Sequence, residues 1–96
     1  MVAVHNIDTS TRLAVLNSSL SQLRREADRL GAGDAIHRLR NSILTAQGAL
    51  GLVESRLAQG RSDEVEKLLD LAETRIREAR SLVAQRHRLR STTIFS

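Results

Sequence analysis

The chain has 96 residues, with 15 Lys and Arg against 11 Asp and Glu, a net charge of +4, and neither cysteine, proline, tryptophan nor tyrosine. Without cysteine, disulfides and thiolate metal sites are excluded, and Phe95 as the one aromatic residue rules out an aromatic core or a base-stacking platform. This length holds one small domain, whose core must be built from Leu, Ile, Val and Ala, a palette that suits helices packed on helices better than a sandwich or barrel.

Residues 1–9 show no periodicity and read as a flexible lead without the basic start and apolar run of a secretory signal. Asp8, Thr9, Ser10 and Thr11 then offer N-caps for a first helix over about residues 10–30. Leu13, Leu16, Leu20, Leu23, Ala27 and Leu30 keep a narrow a/d seam of coiled-coil type along it. Gly31 and Gly33 interrupt this helix, at about 2 kcal/mol for the pair relative to alanine. Asp34 can cap a fresh start. The seam changes phase here: the first register would bury Asp34 and His37, whereas the apolar residues sit two positions further on.

A second helix is expected over about 34–59, with Ile36, Leu39, Ile43, Ala46, Leu50, Val53 and Leu57 as its seam and Gly60 as its stop. Ser62 is placed to cap a third, over about 62–88, whose first turn is enriched in acid by Asp63, Glu64 and Glu66. Val65, Leu69, Ala72, Ile76, Ala79 and Val83 form its seam, widened by Leu68 and Leu82. Residues 91–96 read as a frayed tail. The fold class is therefore all-α. The two long helices pack antiparallel as a hairpin over residues 34–90. A lone hairpin leaves half of each stripe uncovered, so pairing with a second copy into a homodimeric four-helix bundle is expected, with the first helix extending the dimer or folding back.

From Ile76 onward, Arg77, Arg80, Arg86, Arg88 and Arg90 face Glu78 alone. Such an end can meet phosphates or an acidic partner, but arginine near a helix C-terminus also complements the macrodipole. With no aromatics to interleave, nucleic acid is not the expected partner. No stretch approaches the ~20 apolar residues of a membrane span. A cytoplasmic protein without membrane attachment is the expectation.

The second helix carries one feature that core-building does not explain. With Ile36 at a seam position, His37 and Asn41 point outward, and Leu44, Gly48 and Gly51 follow along the same face. None of His5, His37 and His87 has another histidine three or four residues away, so zinc-type helix spacing is absent and no metal or cofactor is expected. An imidazole in water is substantially neutral at pH 7 and can then attack phosphorus to give a phosphohistidine. Arg38 and Arg40 would help neutralise the phosphoryl charge. The two glycines would let a partner's backbone approach Leu44 and its neighbours closely.

His37-Arg38-Leu39-Arg40-Asn41-Ser42-Ile43 followed by Gly48 resembles the H-box of sensor histidine kinases, H-[ED]-L-R-[TN]-P-L with glycine eleven residues after the histidine. Leu69 to Val83 is similar to the second helix of the same dimerisation and histidine-phosphotransfer (DHp) domain. His37, Asn41 and Gly48 also match the sporulation phosphotransferase type, and His37 to Ser42 is similar to the H-x-L-K-G-S motif of monomeric histidine phosphotransfer (HPt) domains. The resemblance covers about residues 34–85. It departs at Arg38, where the kinases carry an acid, and at Ser42, where they carry proline.

What the resemblance implies is a phosphotransfer protein of two-component signalling, with His37 as phosphoacceptor and Asn41 positioning water or the phosphoryl group. Arg38 and Arg40 are then supporting charges, and Leu44, Gly48 and Gly51 the docking surface. No ATP-binding domain follows the hairpin in these residues, so the phosphoryl group is expected from a partner, a response-regulator receiver domain or a separate kinase. The other reading is a DHp-like module that dimerises and docks or sequesters a signalling partner without being phosphorylated.

Overall fold

A computed structural model describes residues 2–31 and 33–95, with side chains described from Thr9 to Arg86 apart from Ala32. The described residues form three helices and no strand: α1 (Val2–Leu30), α2 (Asp34–Ala58) and α3 (Val65–Phe95). Together they make a rod of 55 × 22 × 18 Å.

The seams are what hold it together. Leu16, Leu20, Leu23 and Ala27 of α1 are buried in one cluster with Ile36, Leu39, Ile43, Ala46, Leu50 and Val53 of α2 and Val65, Leu69, Ala72, Ile76 and Ala79 of α3. Burying one Leu, Ile or Val side chain is worth ~1.5–3 kcal/mol, so these rows supply most of the driving force. Ala46, Ala72 and Ala79 have no exposed surface at all. Their small side chains fill the narrow middle of the bundle, where a larger residue would force the helices apart. Leu13, Leu30, Leu68, Leu82 and Val83 close its edges. Leu57, the last residue of the expected α2 seam, is instead 39% exposed. It lies in the last turn of α2, ahead of the loop that leads to α3.

The path of α1 is the main addition to the sequence reading. It folds back along both other helices, parallel to α3 and antiparallel to α2, and its leucines enter their cluster. Polar ties fix its register. Arg12 Nη2 donates to Asp70 Oδ1 at 2.6 Å and to Glu73 Oε2 at 3.2 Å, and Arg80 Nη2 donates to Ser19 Oγ at 2.7 Å. Asn17 Nδ2 reaches Glu54 Oε1 at 3.3 Å on the α2 side. The hydrogen bond to Asp70 raises the Arg12 pKa further, so the guanidinium side of this tie stays charged. Such exposed pairs are worth ~0–1 kcal/mol each; the leucines supply the energy and the ion pairs choose the register. α1 thus covers apolar surface of α2 and α3 that the sequence reading left for a second copy.

The connections explain the helix ends. Gly31 and Gly33 have φ of 85° and 139°, conformations that side chains resist. Gly33 takes the cap position of α2, its carbonyl accepting the His37 N–H at 2.9 Å. Asp34, expected as the cap, sits instead in the first turn, where its charge still favours the helix dipole. At the other end, Gly60 N–H donates to Leu57 O at 3.0 Å and Arg61 N–H to Arg56 O at 2.8 Å. With Gly60 at φ 71° this is a Schellman cap.

Ser62 does not cap α3 through its hydroxyl. α3 starts at Val65, after Glu64 at φ 66°. Of the acids expected in its first turn Glu66 is there, whereas Asp63 and Glu64 are drawn back into the loop: Arg61 pairs with Asp63 at 2.7 Å, and Arg56 reaches Glu64 at 3.2 Å. The outer helix ends also differ from expectation. α1 begins at Val2 instead of near residue 10, and α3 runs to Phe95 through the expected tail. No glycine or proline stands in either stretch to stop the backbone pattern. The side chains of His5, His87, Arg88 and Arg90 lie outside the described residues.

Candidate functional site

The site nominated by the sequence lies on α2, and its geometry follows from 100° of turn per residue. Ile36, Leu39, Ile43, Ala46, Leu50 and Val53 fix the buried side. Asn41 and Gly48 fall within roughly 10° of the opposite direction, His37 and Ser55 within roughly 30° and Leu44 within roughly 50°, with Gly51 further round the same side. All six are exposed. Leu44, at 64%, is the most exposed of the large apolar side chains among the described residues. The phase shift at Gly31–Gly33 is what turns His37 outward.

His37 occupies the first full turn of α2, its N–H closing that turn onto Gly33. Side chains tilt toward the N-terminus of their helix, so the imidazole lies near the positive end of the α2 dipole, which favours a neighbouring anion. Among the described residues, no carboxylate or other side chain hydrogen-bonds it. Asn41 stands one turn further on, and its carbonyl accepts from Thr45 Oγ1 at 3.0 Å.

The two flanking arginines separate. Arg40 turns toward α1, where its Nη2 donates to Gly31 O at 3.4 Å. Its charge thereby answers the carbonyl end of α1, a structural task the sequence reading did not assign to it. Arg38 turns the other way, to the groove between α2 and α3, and has no hydrogen-bond partner among the described residues. The structure therefore sets His37, Asn41, Leu44 and Gly48 in one row, places Arg38 and Arg40 on either side of it, and leaves Gly51 at the rim of a shallow groove with Asn17 and Ser21 of α1.

The glycines of the row are idle inside the molecule. A Cβ added at Gly48 or at Gly51 would meet nothing within 4 Å. From Asn41 to Val53 there is no charged residue, although 27% of the chain is charged. The middle of the outward face of α2 is therefore neutral, partly apolar, and low enough for another backbone to approach.

Sequence reasoning missed the α3 side of the neighbourhood. Arg75, Glu78, Ser81 and Leu82 face Arg38, Asn41 and Ser42 across one groove. The signal was there: 75, 78 and 82 form a row at helical spacing just beside the Ile76–Ala79 seam. Arg75 Nη1 donates to Glu78 Oε2 at 2.9 Å, while Arg75 Nε is buried without a partner. Ser42, at the proline position of the H-box resemblance, is buried at the floor of this groove, with 9% exposure.

Among the described residues, no group of three or more His, Cys, Asp and Glu is placed to hold a metal ion, and no helix is long and apolar enough to cross a membrane. The chain matches no family model, and no curated protein or solved structure matches it.

Proposed function

We propose that the chain is a histidine phosphotransfer module of two-component signalling that receives a phosphoryl group at His37 from a receiver-domain aspartate and passes it on. The observation that carries this reading is the row His37, Asn41, Leu44, Gly48: one imidazole free of internal partners, at the positive end of a helix, followed by a neutral, low surface fit for docking. In the transfer an imidazole nitrogen attacks the phosphorus of the aspartyl phosphate. The P–N bond forms as the P–O bond to the aspartate breaks, and the carboxylate leaves with the electron pair. Arg38 stands beside this position as a free cation that can attract the incoming charge. Asn41 offers an amide donor one turn away.

Of the two forms that the resemblance allows, the monomeric bundle gains support, since α1 buries surface of α2 and α3 inside one chain. The DHp-like four-helix dimer requires α1 to move aside or a second copy to use the outward row. The test is direct. Incubation with a phosphorylated receiver should label wild-type protein and leave His37→Gln unlabelled, with helical content unchanged by circular dichroism. Absence of label from every cognate receiver sinks the reading.

The other reading, a non-catalytic docking module, is favoured by one specific observation. Arg38 stands where the H-box carries an acid, and among the described residues no acid hydrogen-bonds the ring. Under it, His37→Gln keeps both partner binding and signalling.

A further inference from the structure

The groove between α2 and α3 has a volume of about 440 Å³, within the range of small-ligand sites. Its chemistry is one-sided. Arg38 brings a guanidinium with no internal partner, and Asn41, Ser42 and Ser81 bring an amide and two hydroxyls. From α3, Arg75 contributes a second guanidinium whose Nε is buried and has no acceptor. Glu78 is the one acid on the wall, and Arg75 Nη1 already holds it at 2.9 Å. The groove therefore carries a net charge of +1 from Arg38 plus Arg75 less Glu78. Leu82 adds an apolar wall.

We infer that this groove binds a small soluble phosphate ester, its phosphate held between Arg38 and Arg75 with hydroxyl donors from Ser42 and Ser81, and its organic part lying on Leu82. Planar guanidinium forks match phosphate oxygens in pairs, which makes two arginines converging on one groove selective for this group over a simple chloride. The volume exceeds what an inorganic phosphate fills, so the organic part contributes to binding. His37 does not line the groove, and the site stands whether or not His37 is phosphorylated.

The experiment is a titration of the ¹⁵N-labelled chain with phenyl phosphate and, separately, with inorganic phosphate, read by amide shifts. Saturable shifts are expected over residues 38–42 and 75–82 with phenyl phosphate, and the same residues respond more weakly to inorganic phosphate. Arg38→Gln and Arg75→Gln should each weaken phenyl phosphate roughly tenfold. Glu78→Gln should strengthen it by freeing Arg75. Arg25→Gln removes the same unit of charge from an exposed position outside the groove and should change little, and His37→Gln should also bind as wild type. Arg38 is exposed and its replacement does not threaten folding, so it keeps the test valid should Arg75→Gln unfold. The inference is overturned by shifts that do not saturate, by equal weakening in Arg25→Gln, or by shifts centred on His37 that vanish in His37→Gln.

Discussion

Gly48 and Gly51 sit in the interior of α2 with helical backbone, and neither has a neighbour within 4 Å of where a Cβ would stand. Replacing each by alanine therefore adds no clash and removes the backbone entropy that glycine loses on folding. The gain is ~0.4–1 kcal/mol per site, and the sites are three residues apart without shared partners, so the double variant should gain ~1–2 kcal/mol. For a domain of this size 1 kcal/mol moves Tm by roughly 4–8 °C, placing the double variant roughly 5–15 °C above wild type. Urea unfolding followed by circular dichroism reads the free energy with unchanged m. The same variant should lose affinity for whatever docks on the row, since two methyl groups now stand where a backbone was to approach. A stability that rises while binding falls marks residues kept for an interface. If the double variant is instead destabilised, the glycines serve the bundle, and the docking role assigned to this face is wrong.

Leu20→Ala should cost about 2–5 kcal/mol, because Leu20 is 4% exposed in the shared core, whereas Val15→Ala, at 57% exposure on the same helix, should stay within about 0.5 kcal/mol. Equal small effects in urea unfolding would show that α1 is not packed on α2 and α3. The loop offers a pH test. The hydrogen bond from Arg61 holds the Asp63 carboxyl below its ordinary range, helped by its own backbone N–H and by the charges of Arg61 and Arg56. Its contribution to stability is therefore present above the ordinary carboxylate pKa and fades as pH falls through the depressed value. In Arg61→Gln the Asp63 carboxyl, followed by NMR, should titrate at higher pH than in wild type; no movement would remove the ion pair as its cause.

The helices were legible because periodicity alone identifies which residues must be hidden. Every seam residue from Ile36 to Val53 is buried, and the phase shift at Gly31–Gly33 was enough to place His37 outside. What periodicity cannot report is which seam faces which. The row Leu16, Leu20, Leu23 and Ala27 serves a coiled coil, a dimer or a fold-back equally well, and only the positions of Arg12, Ser19 and Asn17 against α2 and α3 decide it. Caps were read less well for a related reason. Ser62 has the right side chain, but Arg56 and Arg61 compete for the acids beside it, and that competition depends on the tertiary approach of the loop to α2. The site divides in the same way. The outward row belongs to one helix and follows from the sequence, whereas the groove needs Arg38 and Arg75, which lie on different helices.

The fold-back of α1 also bears on how a second copy could bind. α1 is joined to α2 by residues 31–33, and a segment tethered this closely competes at an effective concentration on the order of millimolar. A second copy present at micromolar concentration must therefore bind the same surface about 10³-fold better, about 4 kcal/mol, merely to match it. Leu16, Leu20 and Leu23, each with 6% or less exposed, leave little apolar area that a replacement could improve on. The outward row of α2 carries no such handicap. Leu44, 64% exposed, and Leu52, 50% exposed, flank Gly48 and Gly51 on a surface that α1 leaves open. A partner, whether a receiver domain or another copy, meets no internal competitor there, and His37 lies at the end of that surface.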